Sequence, residues 1–63
     1  MKIGKITKIE DKIATVEMTY SETLFFMTPS KVTHGVRFQV DDEVSIRMSS
    51  SNLRVASVVP AKP

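Results

Sequence analysis

The sequence predicts an all-β domain in which five short antiparallel strands close into a Greek-key barrel. The first observation is the segment 44–48, where Val44, Ile46 and Met48 alternate with Ser45 and Arg47. A period of two is typical of a strand with one face buried and the other in water. The second observation is that turn residues interrupt the chain at short intervals. The third is a longer connection between the third and fourth apolar segments, as small Greek-key barrels have.

Length and composition limit the other possibilities. The chain has 63 residues, 41% of them hydrophobic and 25% charged, and a net charge of +2. So short a chain is expected to form one domain with a thin core, over residues 1–63, with a short tail at 60–63. The absence of cysteine and the single histidine exclude a disulfide scaffold and a cysteine-based zinc site, and we expect neither cofactor nor metal. Strand closure or self-association must then provide the stability.

The first strand is predicted over residues 2–9. Ile3, Ile6 and Ile9 recur every third residue, which one face of a helix could also explain. Gly4 and the abundance of β-branched residues favour a strand instead. A bulge near Gly4 that shifts the inward face from Ile3 to Ile6 would reconcile the spacing with a strand.

The second and third strands complete an antiparallel meander. Residues 13–20 place Ala14, Val16 and Met18 on one face, and turns are predicted at 10–12 and 21–22. Residues 23–28 form the third strand, which Pro29 should end. Its centre is apolar on both faces, so that neighbouring rings must point in opposite directions. In the favoured interpretation three residues face outward, Leu24, Phe26 and Thr28, while Phe25 and Met27 fill the core.

The rest of the chain supplies a loop and a hairpin. Residues 30–36 form a loop with room for one helical turn, and Gly35 is its flexible point. The fourth strand follows an acidic turn at 41–43, and a serine-rich turn at 49–52 leads to a fifth strand at 53–59, ended by Pro60. A three-stranded meander followed by a loop and a hairpin indicates a barrel of the oligonucleotide/oligosaccharide-binding (OB) type. An SH3-like barrel is the alternative.

Two stretches resemble the cold-shock domain, an OB-type family. Residues 25–32, Phe-Phe-Met-Thr-Pro-Ser-Lys-Val, resemble its valine-phenylalanine-valine-histidine-x-serine-x-isoleucine segment. Residues 13–16 stand where that family has phenylalanine-glycine-phenylalanine-isoleucine. The resemblance implies binding of single-stranded nucleic acid on stacked aromatic rings. Phe26 matches one of those rings, whereas Ile13 and Thr15 replace two others, Lys8 falls near the tryptophan and Thr28 replaces the histidine.

The second half of the chain is similar to the TOBE domain, a small accessory barrel of some transport ATPases and molybdate-binding proteins. The similar stretches are Phe-Gln-Val-Asp-Asp-Glu-Val at 38–44 and Asn-Leu-Arg-Val at 52–55, with Asp41 where those domains usually have glycine. This resemblance implies a protein-interaction or self-assembly module, or more weakly a site for a small oxyanion.

Catalysis is not expected. Nucleophilic catalysis needs a base that a third group orients, but His34 is the only imidazole and the serines at 49–51 fit a turn. Asp41, Asp42 and Glu43 are adjacent on a turn, where their side chains diverge into water, so a solvated turn is favoured over a cation site.

The basic residues carry the functional prediction. On an OB-type barrel a positively charged surface follows the phosphates and aromatic rings stack on bases. The candidate nucleic-acid contacts are Lys5, Lys8, Lys12, Tyr20, Phe26, Lys31, Arg37 and Arg47. We therefore expect a non-enzymatic module that binds RNA or single-stranded DNA. The alternative is a homo-oligomer formed through the apolar strand at 24–27. The N-terminal residues lack the apolar core of a signal peptide and no apolar run is long enough for a membrane span, so that a cytoplasmic location is expected.

Overall fold

In a computed structural model of the protein, residues 2–52 and 54–61 are described, and they form a single antiparallel sheet. Its five strands are β1 (Lys2–Glu10), β2 (Ile13–Met18), β3 (Thr23–Met27), β4 (Glu43–Met48) and β5 (Val55–Pro60). The spatial order is β3-β2-β1-β4-β5. Over these two ranges there is no helix, and hence none long and apolar enough to cross a membrane.

The order of the strands confirms the predicted all-β Greek-key arrangement. Strands β1, β2 and β3 are a meander, and β4 returns after the long connection to pair with the other edge of β1. Three consecutive strands with the fourth lying beside the first is the definition of a Greek key. The sheet curls so that its two edge strands, β3 and β5, approach each other. The result is a small half-barrel, open along the line between these two edges.

Gly4 allows β1 to lie close to its neighbours. It is opposite Met18 of β2 and Val44 of β4, and it is buried. A Cβ atom at this position would lie 2.5 Å from Met18 Sδ and 2.6 Å from Val16 Cγ1. Only a residue without a side chain leaves these two groups in place. The next inward residue, Ile6, is completely buried.

The bulge in β1 lies at Thr7, and the prediction that it lies near Gly4 is wrong. The pairing of β1 with β2 shifts register between Ile6 and Lys8. Ile3 is 43% exposed and on the outer face, whereas Ile9, beyond the bulge, packs against the core. The two intervals of three residues between the isoleucines therefore have different causes. Ile3 and Ile6 are on opposite faces, and Gly4 is the inward residue that precedes Ile6. Ile6 and Ile9 share the inward face because the bulge adds one residue, Thr7, between them.

The register between β2 and β3 decides which ring enters the core. Ala14 and Val16 are completely buried, as predicted, and Ala14 is opposite Phe26. Directly opposed residues of an antiparallel pair share a face. Phe26 is accordingly buried (6% exposed) and Phe25 is 60% exposed. The prediction that Phe26 faces outward and Phe25 inward is wrong.

The core is built around Phe26. Its ring meets the Phe38 ring edge to face, with 6.2 Å between centroids and 85° between planes. Apolar residues from the other strands complete this core: Ile6, Ala14, Val16, Met18, Val44, Ile46 and Val58. Val44 and Ile46 of β4 are buried as predicted, and Met48 is half-buried. The predicted alternation fails at Ser45, which is buried rather than in water, and holds at Arg47, which is exposed.

Residues 60 and 61, which were predicted to belong to a short tail, are part of the sheet or bonded to it. Pro60 is the last residue of β5, and the Ala61 N–H donates to Glu43 O at 3.0 Å. The fifth strand begins at Val55, later than the predicted residue 53. Position 53 and the rest of the predicted tail, 62–63, lie outside the described residues.

The long connection covers the outer edge of β5. The Val58 N–H donates to Val32 O at 2.7 Å, so that the segment 30–36 lies along β5. This segment is a series of turns and not a helical turn, with a hydrogen bond from Gly35 N to Ser30 O at 3.0 Å. Gly35 has φ +80°, a conformation that favours glycine.

The two rings of β3 give a direct test of the register. Phe26→Ala should destabilise the protein by about 3–5 kcal/mol, because it removes a buried ring from a small core. Phe25→Ala should change the stability by about 0.5 kcal/mol or less, because that ring is exposed. Urea denaturation followed by circular dichroism measures both. Equal losses of stability in the two variants would contradict the pairing of Ala14 with Phe26.

Gly4→Ala tests the close approach of β1 and β2. The added methyl group must displace Met18 Sδ and Val16 Cγ1, and overpacking of this kind costs about 1–3 kcal/mol. The matched control is Lys5→Ala, an exposed change one residue away that should cost about 0.5 kcal/mol or less. Thermal unfolding compares the three proteins. Wild-type stability in Gly4→Ala would show that Gly4 is not in close contact with β2.

Candidate nucleic-acid interface

Four residues on the outer face of β2 and β3 form one contiguous surface, which we call the platform. Ile13 is opposite Met27, and Thr15 is opposite Phe25. The exposed fractions are 45% for Ile13, 60% for Phe25 and 52% for Met27. A contiguous apolar surface exposed on a small protein usually marks a binding site.

The platform is fixed by the turn that joins β2 to β3. The Met18 N–H donates to Glu22 O at 2.8 Å, and the Ser21 N–H donates to Met18 O at 3.1 Å. Ser21 has φ +66°, in the left-handed region that tight turns use. This turn sets the register, and because the alternate residues of β2 are held in the core, Thr15 and Phe25 must share the outer face.

Lys8 extends the platform onto β1. After the bulge it is opposite Thr15, so that Lys8, Thr15 and Phe25 form one row across three strands. The Lys8 Nζ lies 3.4 Å from Glu10 Oε2, and both side chains are more than 60% exposed. Exposed ion pairs of this kind are weak, so Glu10 does not remove the positive charge from Lys8 as a phosphate contact.

Thr28 anchors the basic residues at the far end of β3. Its N–H donates to Lys12 O at 2.9 Å, and its hydroxyl donates to Val36 O at 2.8 Å. The same hydroxyl accepts a hydrogen bond from the Phe38 N–H at 2.8 Å. Thr28 is buried, while Lys12 and Arg37 are exposed on the segments that it joins. One threonine therefore holds two cationic residues beside the end of the platform.

A cleft lies along the edge of β3 that faces away from β2, where the half-barrel is open. We call this cleft the seam. Its volume is about 530 Å³, within the range of small-molecule and cofactor pockets. Apolar side chains provide most of its lining, and Lys31 and Arg54 are the charged residues among those that line it. The residues of the seam are Thr23, Leu24, Phe25, Phe26, Met27, Ser30, Lys31, Val32, Met48, Arg54 and Val55.

The structure brings together only part of the predicted set. Lys8 is opposite the platform residue Thr15, Lys12 and Arg37 are in the segments bonded to Thr28 at the end of the platform, and Lys31 borders the seam. Phe26 cannot stack on a base, because it lies in the core.

Three other predicted residues lie elsewhere. Lys5 is opposite Glu17 on β2 and Glu43 on β4, so that carboxylates flank it on both sides. Tyr20 is 90% exposed and lies in the turn between β2 and β3, outside the platform. Arg47 is opposite Ser57 on the far side of β1.

The platform residues Ile13, Thr15, Phe25 and Met27 were missed from the sequence, because the predicted turn gives the wrong register. A two-residue turn at 21–22 would place Phe25 opposite Met18 and so turn Phe25 inward. In the structure the connection is longer, and Ala14 is opposite Phe26. Arg54 also escaped the predicted set, since nothing in the sequence shows that it faces β3 across the seam.

The residues considered for catalysis have structural partners. His34 Nε2 lies 2.9 Å from Ser57 Oγ on the surface, and no carboxylate of the described residues forms an ion pair with this imidazole. Asp42 Oδ2 accepts a hydrogen bond from the Gln39 N–H at 2.8 Å, which closes the acidic turn. In residues 2–52 and 54–61 no group of three or more histidine or acidic side chains could hold a metal ion. That the protein is not an enzyme stays a prediction.

No family model, curated protein or solved structure matches this chain. The likeness to cold-shock and TOBE domains thus rests on the residues quoted above. The structure changes the comparison with the cold-shock domain in one respect, namely which residues of β3 face outward. The outward positions of β3 are Phe25 and Met27, and they lie beside Ile13 and Thr15, the two residues that the resemblance equates with stacking phenylalanines.

Replacing Thr28 tests how the basic end of the platform is held. Thr28→Val keeps the shape but removes the hydroxyl, which leaves Val36 O and Phe38 N–H without this partner. We expect a loss of stability of about 1–3 kcal/mol. Thr28→Ser is the matched control, because it keeps the hydroxyl, and it should retain most of the stability. Urea denaturation measures both. If Val were tolerated better than Ser, the methyl group and not the hydroxyl would be the important part.

Proposed function

We propose that this protein is a non-enzymatic module that binds single-stranded nucleic acid, RNA or DNA, on the platform. The observation that carries the proposal is the position of Phe25. Its exposed ring lies on the outer face at the middle of β3, in one row with Lys8, from which Thr15 of β2 separates it. An exposed ring beside cations is the combination by which proteins hold unpaired bases and their phosphates.

The platform suggests how the strand would lie. One base stacks on the face of Phe25, and its neighbours rest on Ile13 and Met27, which offer apolar surface but no ring. We assign the phosphate contacts to Lys8 on one side and to Lys12 and Arg37, whose segments are bonded to Thr28 at the end of β3. With one stacking ring and few cations, the expected affinity is micromolar or weaker and depends strongly on salt.

The recognition in this arrangement is independent of sequence. A ring stacks on any base, and phosphate contacts carry no information about base identity. The proposal includes the cytoplasmic location expected from the sequence, where RNA is an accessible ligand. The weaker alternative, a small oxyanion, gains no support from the described residues, because the cations surround an open face and not an enclosed pocket.

A titration tests the proposal. Oligouridine and oligothymidine of about eight nucleotides are added to isotopically labelled protein at low salt, and backbone amide shifts are followed by NMR. We expect the largest shifts at the platform, at residues 13, 15, 25 and 27. About three phosphate contacts predict that log K falls with log salt with a slope near −2. An absence of shifts at the platform under low-salt conditions would refute the proposal.

A ring substitution supplies the matched comparison. Phe25→Ala removes the stacking surface and should weaken binding by about 5- to 150-fold, the equivalent of about 1–3 kcal/mol per stacked base. Tyr20→Ala removes an even more exposed ring outside the platform, and it should change the dissociation constant by less than about twofold. Equal effects of the two substitutions would show that the ligand does not lie on the platform.

A further inference from the structure

The outer edge of β3 is available for pairing. β2 occupies one side of β3, and no strand in residues 2–52 or 54–61 pairs with its other side. The opposite edge of the sheet differs, since Val32 O accepts a hydrogen bond from the Val58 N–H of β5. An uncovered edge strand offers a row of donors and acceptors to another extended chain.

The hydrogen bonds beside β3 show which groups point outward. Thr28 N–H bonds to Lys12 O and Met18 N–H bonds to Glu22 O, one pair at each end of the β2–β3 ladder. Hydrogen-bonded and non-bonded pairs alternate in an antiparallel ladder. Phe25 and its neighbours two residues away, 23 and 27, are therefore the positions whose main-chain groups point away from β2 and into the seam. Of these groups, Met27 O already accepts a hydrogen bond from the Ser30 hydroxyl.

The seam beside this edge is shaped for side chains. Across from β3 it is walled by Val32, Met48 and Val55, so that apolar surface lies on both sides. Lys31 and Arg54 are at the same cleft, and neither forms an ion pair with a carboxylate of the described residues. The site therefore combines main-chain donors and acceptors, apolar pockets and two uncompensated positive charges.

We propose that the seam binds an extended peptide segment of a partner protein, which adds to β3 as a further strand. The bound segment has alternating apolar side chains, which enter the cleft, and aspartate or glutamate placed to meet Lys31 and Arg54. Strand addition of this kind takes its affinity from main-chain hydrogen bonds and its specificity from the side-chain pockets. The site is distinct from the proposed nucleic-acid surface in its cations, since Lys8 and Lys12 are not part of its lining.

The charges favour such a peptide over a second copy of this chain. Strand β3, Thr-Leu-Phe-Phe-Met, has no charged residue. Pairing of two β3 edges would bring a second Lys31 and a second Arg54 to the interface without any carboxylate from that strand. Nucleic acid fits the seam less well, because its lining is mainly apolar and its main-chain groups match a peptide backbone.

The experiment is a selection of random peptides, displayed on phage and about ten residues long, twice the length of β3. Wild-type protein is compared with the charge-reversed variant Lys31→Glu/Arg54→Glu. We expect wild type to enrich peptides with alternating apolar residues and at least one acidic residue. The variant should enrich the same alternation with lysine or arginine. Peptides selected equally by both proteins, or no alternation in either selection, would overturn the proposal.

A synthetic copy of a selected peptide then tests strand addition. The amide protons of residues 23, 25 and 27 should become protected from hydrogen exchange when it binds. Two N-methylated versions of the peptide are compared, one methylated at the odd-numbered residues and one at the even-numbered residues. Only one of them should bind more weakly, by about tenfold or more, because only every second peptide N–H faces β3. An equal loss of affinity in both versions would overturn strand addition. A β3-mediated dimer in sedimentation without peptide would overturn the choice of occupant in favour of a second copy.

Charge variants separate this proposal from the proposed function. Lys8→Glu/Lys12→Glu should abolish oligonucleotide shifts and leave the affinity for the selected peptide within about twofold. Lys31→Glu/Arg54→Glu should abolish peptide binding while oligonucleotide shifts at the platform remain. If the seam variant instead removed nucleic-acid binding and left peptide binding intact, the seam would belong to the nucleic-acid site and the inference would fail.

Discussion

The shape of this protein depends on the bulge at Thr7, because it lets one strand serve two halves of the sheet. Before the bulge, β1 pairs with β4 as well as β2, and the pairing with β4 ends at Lys5 and Glu43. At the bulge, Ile6 exchanges hydrogen bonds with the acidic turn, donating to Asp42 O at 3.0 Å and accepting from Asp41 N–H at 2.8 Å. Beyond it β1 pairs with β2 alone. A bulge bends and twists a strand, which here curls the sheet until β3 and β5 face each other.

The fold was largely predictable because the patterns that specify its strands and turns each lie within a few consecutive residues. The alternation in β2 and β4 and the turns between strands identified the strands and their order of connection. The position of the bulge was not predictable from the sequence pattern alone. A spacing of three isoleucines fits an extra residue at either of two places, and only the contacts of Gly4 with β2 show that no residue is inserted there.

The candidate site was less predictable, because pairing a strand one residue out of register moves all of its side chains to the opposite face of the sheet. Residues 24–27 are apolar on both faces, so that hydrophobicity does not distinguish Phe25 from Phe26. Electrostatic context was equally hidden from the sequence. Lys5 and Lys8 look alike in the sequence, but the sheet places Lys5 opposite a carboxylate on each neighbouring strand. Lys8 is opposite Thr15, in the row that leads to Phe25, and its ion pair is with Glu10 of its own strand.

Phe25 is common to the platform and the seam, since it stands on the outer face of β3 and also lines the cleft. A strand lying along β3 would cover part of the ring on which a base is proposed to stack. If both ligands bind as proposed, they compete, and thermodynamic linkage makes the antagonism mutual: each ligand lowers the affinity for the other by the same factor. One phenylalanine would then make this barrel a two-input switch, in which a partner protein releases nucleic acid and nucleic acid displaces the partner.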